Sequence, residues 1–253
     1  MLKILLVGAR GAMGRTLEEV VRENQNYKVI AGIDKASDGS FEFPIYDNFS
    51  KVVEKADVII DFSNRALLDD IISYASSREI PVIFATTGYT DDDLAKINKI
   101  ADKIAFMQEG NYSLGINIML EAARLLAKGL SDFDIEIVES HHNKKKDNPS
   151  GTANMIFDAV NSARDNKLNK VMRAMTHDDE RMATDVGISS IRAGSIVGEH
   201  RLIFAGVDEV LEIKHQAGSK KIFAVGALKA ASFIVGKKPG RYNFKDVIRG
   251  MDD

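Results

Sequence analysis

The sequence of 253 residues contains no cysteine. Disulfide bonds, thiolate catalysis and cysteine metal sites are therefore excluded. No run of apolar residues is long enough to span a bilayer. The formal net charge is only -3, which argues against a general polyanion binder but leaves room for a local basic patch. Together these absences favour a cytoplasmic protein without a membrane or nucleic-acid partner.

The apolar content is high enough for a folded core. Hydrophobic residues make up 45% of the chain, so disorder is not expected. The length allows one large domain or two modest ones. The apolar opening at residues 1–7 has no basic leader and ends at Gly8. It therefore predicts a buried strand rather than a signal peptide.

The first part of the chain alternates short apolar runs with helical patterns. Val, Ile and Leu dominate the runs, as they do in strands that are covered on both faces. We expect these strands at residues 3–7, 29–33, 58–61, 82–85 and 104–107. Apolar residues at helical spacing lie between them. This alternation predicts an α/β domain with a Rossmann-like, doubly wound parallel sheet.

The pattern changes after Gly110. Helices are expected over residues 113–129 and 152–164, and strands over 135–139, 186–192, 200–205 and 210–215. Several strands in succession indicate an α+β domain with an open mixed sheet. A last helix is expected at about residues 222–235.

A glycine-rich turn follows the first predicted strand. Gly8, Gly11 and Gly14 form a variant of the dinucleotide-binding fingerprint. A tight turn without side chains lets a pyrophosphate reach backbone N–H groups at the start of a helix. Asp34 ends the second predicted strand, where a carboxylate accepts hydrogen bonds from ribose hydroxyls.

The cofactor is expected to be NADH or NADPH. Asp34 favours NADH, because a carboxylate repels the 2′-phosphate of NADPH. Lys35 and Arg10 are close enough in sequence to neutralise such a phosphate. The sequence therefore favours NADH without excluding NADPH.

A basic loop precedes the second predicted helix of the later part. Five of the six residues at positions 141–146 are basic. Ser150, Gly151 and Thr152 would place N–H groups at a helix start, where a carboxylate binds readily. Such a loop suits a small dianion and a proton donor. Other readings remain open from the residues alone: a solvated lysine run, a simple helix cap, and surface or metal-binding histidines.

The loop resembles a family signature. Residues 139–153 match E-x-H-H-x-x-K-x-D-x-P-S-G-T-A, which is typical of the dihydrodipicolinate reductase (4-hydroxy-tetrahydrodipicolinate reductase) family. The resemblance covers essentially the whole chain, through the glycine turn with Met13, the Thr86-Thr87-Gly88 turn and segments 111–117, 192–200 and 211–215. Two positions depart from it: Ala85, where glycine is common, and Glu109-Gly110, where small residues are usual.

The resemblance implies an enzyme of lysine and diaminopimelate biosynthesis. It would reduce dihydrodipicolinate (4-hydroxy-tetrahydrodipicolinate), a small dianionic heterocycle, to tetrahydrodipicolinate with NADH or NADPH, with loss of water from the hydroxylated form. His141 and Lys145 would be the acid–base pair, and His142, Gly151 and Thr152 would bind substrate. No metal is implied. The cofactor residues carried over are Gly8, Ala9, Arg10, Gly11, Ala12, Met13, Asp34, Ala85, Thr86, Thr87, Glu109, Gly110, Asn111 and Tyr112.

The chemistry of the loop adds an expectation of its own. Because the neighbours of Lys145 in sequence are basic, we expect crowded positive charges to ease its release of a proton. Lys144 and Lys146 are interpreted as surface charge that steers a dianion.

The resemblance also implies a domain arrangement. Residues 1–112 and 221–253 would form the dinucleotide-binding domain, and residues 113–220 the substrate-binding and oligomerisation domain. A homotetramer would assemble through the open sheet.

Two other functions remain: another two-domain dehydrogenase of amino or keto acids, and a non-catalytic NADH-sensing regulator. Nucleic-acid docking by the basic loop is disfavoured, because no aromatic residues interleave with its charges.

Overall fold

The computed structural model describes residues 1–35, 39–172 and 180–250. It divides into two compact units. The first unit is Met1–Ser113 with Lys220–Asp253, and the second is Leu114–Ser219. Within the described ranges, no helix combines the length and apolar character that crossing a membrane requires.

The elements alternate between strands and helices in the first half of the chain. The strands described are β1 (Leu2–Val7), β2 (Tyr27–Ile33), β3 (Ile45–Tyr46), β4 (Val58–Asp61), β5 (Val82–Phe84), β6 (Ala105–Gln108), β7 (Asp134–His141), β8 (Asn169–Met172), β9 (Asp185–Arg192), β10 (Gly198–Ala205), β11 (Val210–Ala217) and β12 (Gly240–Tyr242). The α-helices are α1 (Ala12–Arg22), α2 (Leu68–Arg78), α3 (Asp91–Asn98), α4 (Leu114–Gly129), α5 (Gly151–Ala163), α6 (Lys221–Ile234) and α7 (Phe244–Arg249).

The first unit contains a seven-stranded sheet in the order β12-β6-β5-β4-β1-β2-β3. Every pairing in it is parallel. Side chains alternate between the two faces of a strand, and both faces of β1 are covered: Leu5 and Val7 pack with apolar residues of α2 and α3, while Ile4 and Leu6 are equally buried. The predicted doubly wound parallel sheet is confirmed.

Three short elements of this unit escape the sequence pattern. They are β3, β12 and α7, of two, three and six residues. Segments this short give no measurable periodicity. Strand β12 pairs with β6, so the chain after α6 returns to the edge of the first sheet.

The second unit contains a five-stranded mixed sheet in the order β11-β10-β7-β9-β8. Strand β10 runs antiparallel to β7 and β11, whereas β9 runs parallel to β7 and β8. One face packs on α4 and α5 through Ile137, Ile188, Leu202 and Phe204. The predicted α+β unit with a mixed sheet is confirmed; the four mostly exposed residues of β8 were not predicted.

Helix α4 is closed at its end by a side chain from beyond α5. The guanidinium of Arg164 donates to the backbone carbonyls of Ala127, Leu130 and Ser131. The last carbonyls of a helix have no partner within the helix. A cation there also interacts favourably with the helix dipole. One arginine therefore fastens the two helices that cover the sheet.

Replacing this arginine should destabilise the second unit. We expect Arg164→Leu to lower the free energy of unfolding by about 2 kcal/mol, because hydrogen bonds to a charged group contribute about 1.5–3 kcal/mol. Urea titration measures the change. Arg22→Leu is the matched control, since the Arg22 side chain is 64% exposed and its pair with Glu18 lies within one helix, so its loss should change stability by less than about 0.5 kcal/mol. Equal losses in both variants would contradict the capping role.

Candidate active site

The turn between β1 and α1 has room only for backbone. Gly8 has φ +79°, and a Cβ on it would lie 2.7 Å from the carbonyl oxygen of Phe62. A Cβ on Gly14 would overlap the carbonyl oxygens of Gly8 and Ala9. No side chain caps the start of α1, where Gly11 is the N-cap residue. The turn therefore fits a phosphate group held by backbone N–H groups.

The carboxylate of Asp34 is anchored to this turn. Its Oδ2 accepts a hydrogen bond from the backbone N–H of Arg10 at 2.8 Å, and its Oδ1 accepts one from the N–H of Lys35 at 2.8 Å. Each carboxylate oxygen retains a second lone pair for a further donor. Asp34 therefore fixes the turn in addition to offering acceptors to a ligand.

A pocket of about 510 Å³ opens beside the glycine turn. Four of the predicted cofactor residues line it, namely Gly8, Arg10, Gly11 and Asp34. Ala9, by contrast, is fully buried and does not line this pocket. The rest of the lining comes from Ile33, Lys35, Asp47, Phe62, Ser63, Asn64, Ala66 and Leu67.

The predicted nicotinamide residues are spread over the loops after β5 and β6. The Tyr112 hydroxyl donates to the carbonyl oxygens of Phe84 and Met107, each at 3.1 Å, and so ties these loops together. A carboxylate oxygen of Glu109 accepts from the N–H of Phe244 at 3.2 Å, at the start of α7. Glu109 thus has a structural partner. Ala85, Thr86, Thr87, Gly110 and Asn111 are not among the lining residues of the 510 Å³ pocket.

An unpredicted acid lies beneath these loops. Asp61, at the end of β4, is fully buried and accepts hydrogen bonds from the Ser63 hydroxyl at 2.5 Å and the Tyr89 hydroxyl at 2.9 Å. Burial raises the pKa of Asp61, although these hydrogen bonds oppose the rise. The acid joins the loop after β4 to the loop after β5.

In the second unit, polar side chains line the helix-covered face of the sheet. Glu139 on β7 pairs in register with His200 on β10, and His200 pairs with His215 on β11. Two residues further along β7, His141 pairs with Arg192 on β9. Because side chains two residues apart share a face, Glu139 and His141 both point towards the helices. Parallel and antiparallel pairing thus brings these distant residues together.

Glu139 is the centre of this group and has no solvent exposure. Its Oε2 lies 2.5 Å from Nδ1 of His141, and Arg192 donates to both oxygens at 2.6 and 2.9 Å. The backbone N–H of Ser150 donates to Oε1 at 3.2 Å. Burial alone would raise the pKa of Glu139, but the hydrogen bonds, led by those from Arg192, lower it. The carboxylate is therefore ionised.

The start of α5 is attached to the same group. The Ser150 hydroxyl accepts from the N–H of Ala153 at 3.2 Å and lies 3.1 Å from Nε2 of His200. Burial lowers the pKa of His200 to about 4, so this ring is neutral near pH 7. Burial also lowers the pKa of His141, and the Glu139 carboxylate opposes that shift.

The basic loop is less uniformly charged than its sequence suggests. Nζ of Lys145 lies 2.9 Å from a carboxylate oxygen of Asp147, whose backbone carbonyl in turn accepts from Arg192 at 2.7 Å. The carboxylate of Asp147 thus lies beside Lys145, among the basic side chains of the loop. Lys145 is half-buried, whereas Lys144 and Lys146 are exposed.

The remaining predicted substrate residues lie at the two ends of this loop. His142 is half-buried, while Gly151 and Thr152 form the first turn of α5, after the capping residue Ser150. Within the described part of the chain, no group of three or more His, Asp or Glu side chains is placed to hold a metal ion.

Glu139, Arg192 and His200 were not among the residues predicted for the site. A signal existed for Glu139: it shares the inward face of β7 with Ile135 and Ile137, where a charged residue is rarely found without a partner. The partner itself, Arg192, lies 53 positions away and becomes visible only through the strand register.

Comparison with known proteins agrees with this arrangement. Family models described as the N-terminus and the C-terminus of dihydrodipicolinate reductase match residues 2–112 and 115–248. The 4-hydroxy-tetrahydrodipicolinate reductase of Caldanaerobacter subterraneus subsp. tengcongensis is 42% identical over 98% of this chain and 99% of its own. That of Clostridium tetani is 40% identical over 96% of this chain and 95% of its own.

Solved structures support the same fold. A dipicolinate-bound dihydrodipicolinate reductase from Paenisporosarcina sp. TG-14 has a TM-score of 0.80 at 22% identity, covering 96% of this chain and 97% of its own. A probable dehydrogenase from Thermotoga maritima has a TM-score of 0.64 at 10% identity, covering 99% of this chain and 93% of its own. At such identities the likeness concerns the fold alone. The sequence matches over both units, however, establish that the chain belongs to the dihydrodipicolinate reductase family.

Proposed function

We propose that this protein is a 4-hydroxy-tetrahydrodipicolinate reductase, which forms tetrahydrodipicolinate in lysine and diaminopimelate biosynthesis with NADH or NADPH. The observation that carries the proposal is the segment 139–153, in which one buried carboxylate holds both His141 and the start of α5. Full-length relatives with this activity in their names support it.

The first unit would bind the nicotinamide cofactor. Residues 8–13 would hold the pyrophosphate at the start of α1, and the carboxylate of Asp34 would offer acceptors to the adenosine ribose. Ala85, Thr86, Thr87 and residues 109–112 would line the nicotinamide side. When bound, the reduced cofactor supplies hydride to a ring carbon of the substrate.

The second unit would bind the substrate and supply a proton. Gly151 and Thr152 lie at the start of α5, where the helix dipole favours an anion, and would bind one substrate carboxylate. His142 and Lys145 add positive charge for the dianion. His141 and Lys145 are the proposed acid–base pair, so that a proton reaches the ring as hydride is added.

The two other functions considered are less well supported. A different amino- or keto-acid dehydrogenase would not require the loop 139–153, and a non-catalytic sensor would not require a histidine held by a buried carboxylate. The decisive experiment is oxidation of NADH by the purified protein with dihydrodipicolinate generated in situ. Steady turnover supports the proposal; binding of NADH without turnover would favour a sensor.

We also propose that the protein assembles as a homotetramer through the open sheet of the second unit. The face away from α4 and α5 carries the exposed side chains Ile191 and Val210, at 47% and 67% exposure. The same face carries an ion pair between Arg201 and Glu212. Mixed apolar and charged residues on an uncovered sheet face suit contact with a second copy.

The assembly should depend on the apolar part of this face. We expect Ile191→Asp to shift the protein to smaller species in analytical ultracentrifugation, because the introduced carboxylate would lose its hydration in the contact. Leu125→Asp is the control, since Leu125 is 73% exposed on α4, which covers the opposite face of the sheet. An unchanged sedimentation coefficient for Ile191→Asp would exclude this face as the contact.

The cofactor preference should follow the charge of Asp34. We expect Asp34→Asn to lower kcat/KM for NADH and to raise the relative use of NADPH, because the repulsion of a 2′-phosphate is lost. The amide oxygen can still accept from the N–H of Arg10, so the glycine turn is kept. A lost charged hydrogen bond corresponds to about 1.5–3 kcal/mol, or about 10- to 150-fold in kcat/KM. If kcat/KM fell equally for NADH and NADPH, Asp34 would not recognise the adenosine ribose.

The proton donor should be confined to one of three neighbouring lysines. We expect Lys145→Ala to lower kcat by about 10²–10⁴-fold, the range for a positioned acid, with NADH binding by fluorescence unchanged. Lys144→Ala and Lys146→Ala are matched controls of equal charge; they should raise only the substrate KM, and more so at low salt. Similar, modest losses of kcat in all three variants would mean that the loop attracts the substrate electrostatically and supplies no proton.

A further inference from the structure

We infer that Glu139 is a positioning residue for the reaction. Its carboxylate holds His141 in one tautomer and also fixes the start of α5. The inference rests on the proposed function, because it gives His141 the acid–base role and α5 the substrate carboxylate. It adds a residue that touches neither substrate nor cofactor. Arg192 contributes by keeping the Glu139 carboxylate ionised.

The hydrogen bonds of Glu139 account for both oxygens. Oε2 accepts hydrogen bonds from Nδ1 of His141 at 2.5 Å and from Nη1 of Arg192 at 2.9 Å. Oε1 accepts hydrogen bonds from Nη2 of Arg192 at 2.6 Å and from the backbone N–H of Ser150 at 3.2 Å. A carboxylate with four such donors and no exposed surface has one orientation available. Its neighbours are therefore held at fixed positions relative to one another.

The ionised carboxylate decides which nitrogen of His141 carries the hydrogen. A carboxylate can only accept, so Nδ1 must be the protonated nitrogen of the neutral ring. Nε2 is then the nitrogen that gains or loses a proton. Gly198 lies on the Nε2 side, where a Cβ would come within 3.1 Å of that atom. The ring is thus fixed through one nitrogen, while the residue beside the other has no side chain.

The other oxygen acts on the substrate-binding helix. By accepting the N–H of Ser150, Oε1 holds the N-cap residue whose hydroxyl accepts from Ala153. His200 supports the same hydroxyl from β10 at 3.1 Å. Gly151 and Thr152 follow directly in the chain, so their N–H groups are placed relative to His141 by one carboxylate.

The charges around His141 come from three directions. Glu139 on β7 raises the pKa of His141, whereas Lys145 in the loop and Arg192 on β9 lower it, in addition to the larger effect of burial. His200 on β10 packs edge-to-face against its ring at 5.3 Å and is neutral near pH 7. Removing the negative charge of Glu139 leaves only influences that lower the pKa of His141.

The test is Glu139→Gln, which keeps the shape and removes the charge. We expect kcat to fall by about 10²–10⁴-fold, as for loss of a positioned acid–base group, with a smaller rise in substrate KM. The limb of the pH–rate profile that belongs to His141 should move to lower pH, whether His141 acts as acid or base. Glu18→Gln is the control, because it removes a carboxylate from a pair with Arg22, whose side chain is 64% exposed, and should change neither parameter.

A second variant separates positioning from folding. If Glu139→Gln leaves Arg192 unpaired and the protein unfolds, Glu139→Gln/Arg192→Gln removes both charges and should fold, with a similar loss of kcat and a smaller movement of the pH limb, because Arg192 lowers the pKa of His141. Unchanged kcat and an unmoved limb in a folded variant would overturn the inference. A wild-type protein that does not oxidise NADH with dihydrodipicolinate would instead overturn the proposed function.

Discussion

The ion pair between Glu139 and Arg192 is the interaction on which the second unit's site depends. Neither charge would be tolerated on the packed face of the sheet alone, and breaking a buried pair by removing one partner costs about 3–5 kcal/mol. Their pairing across β7 and β9 places a charged group among Ile135, Ile137 and Ile188. The histidine, the basic loop and the start of α5 all take their positions from it.

The first unit uses backbone in the place of charge. Its turn admits no side chain at Gly8 or Gly14, and Asp34 holds the turn by accepting the N–H of Arg10. A ligand phosphate would therefore meet N–H groups that are already oriented. Both units would thus offer preorganised hydrogen-bond donors to an anion, but by different means.

The sequence predicted the long elements and the motifs well, because each has a local cause. Hydrophobic runs predicted β1, β4 and the parallel character of the sheet, and the glycine spacing predicted the turn after β1. The signature at 139–153 identified the loop and its family. Short elements such as β12 gave no periodicity, and the contact between Lys145 and Asp147 depends on the conformation of the loop, which no periodic pattern predicts.

The most direct test of the central claim is a crystal structure of this protein with pyridine-2,6-dicarboxylate, a planar dianion that resembles the proposed substrate. The account predicts one ligand carboxylate on the N–H groups of Gly151 and Thr152, with Nε2 of His141 facing the ring and Nδ1 still on Glu139. A ligand bound away from α5, or a His141 ring turned from Glu139, would contradict it.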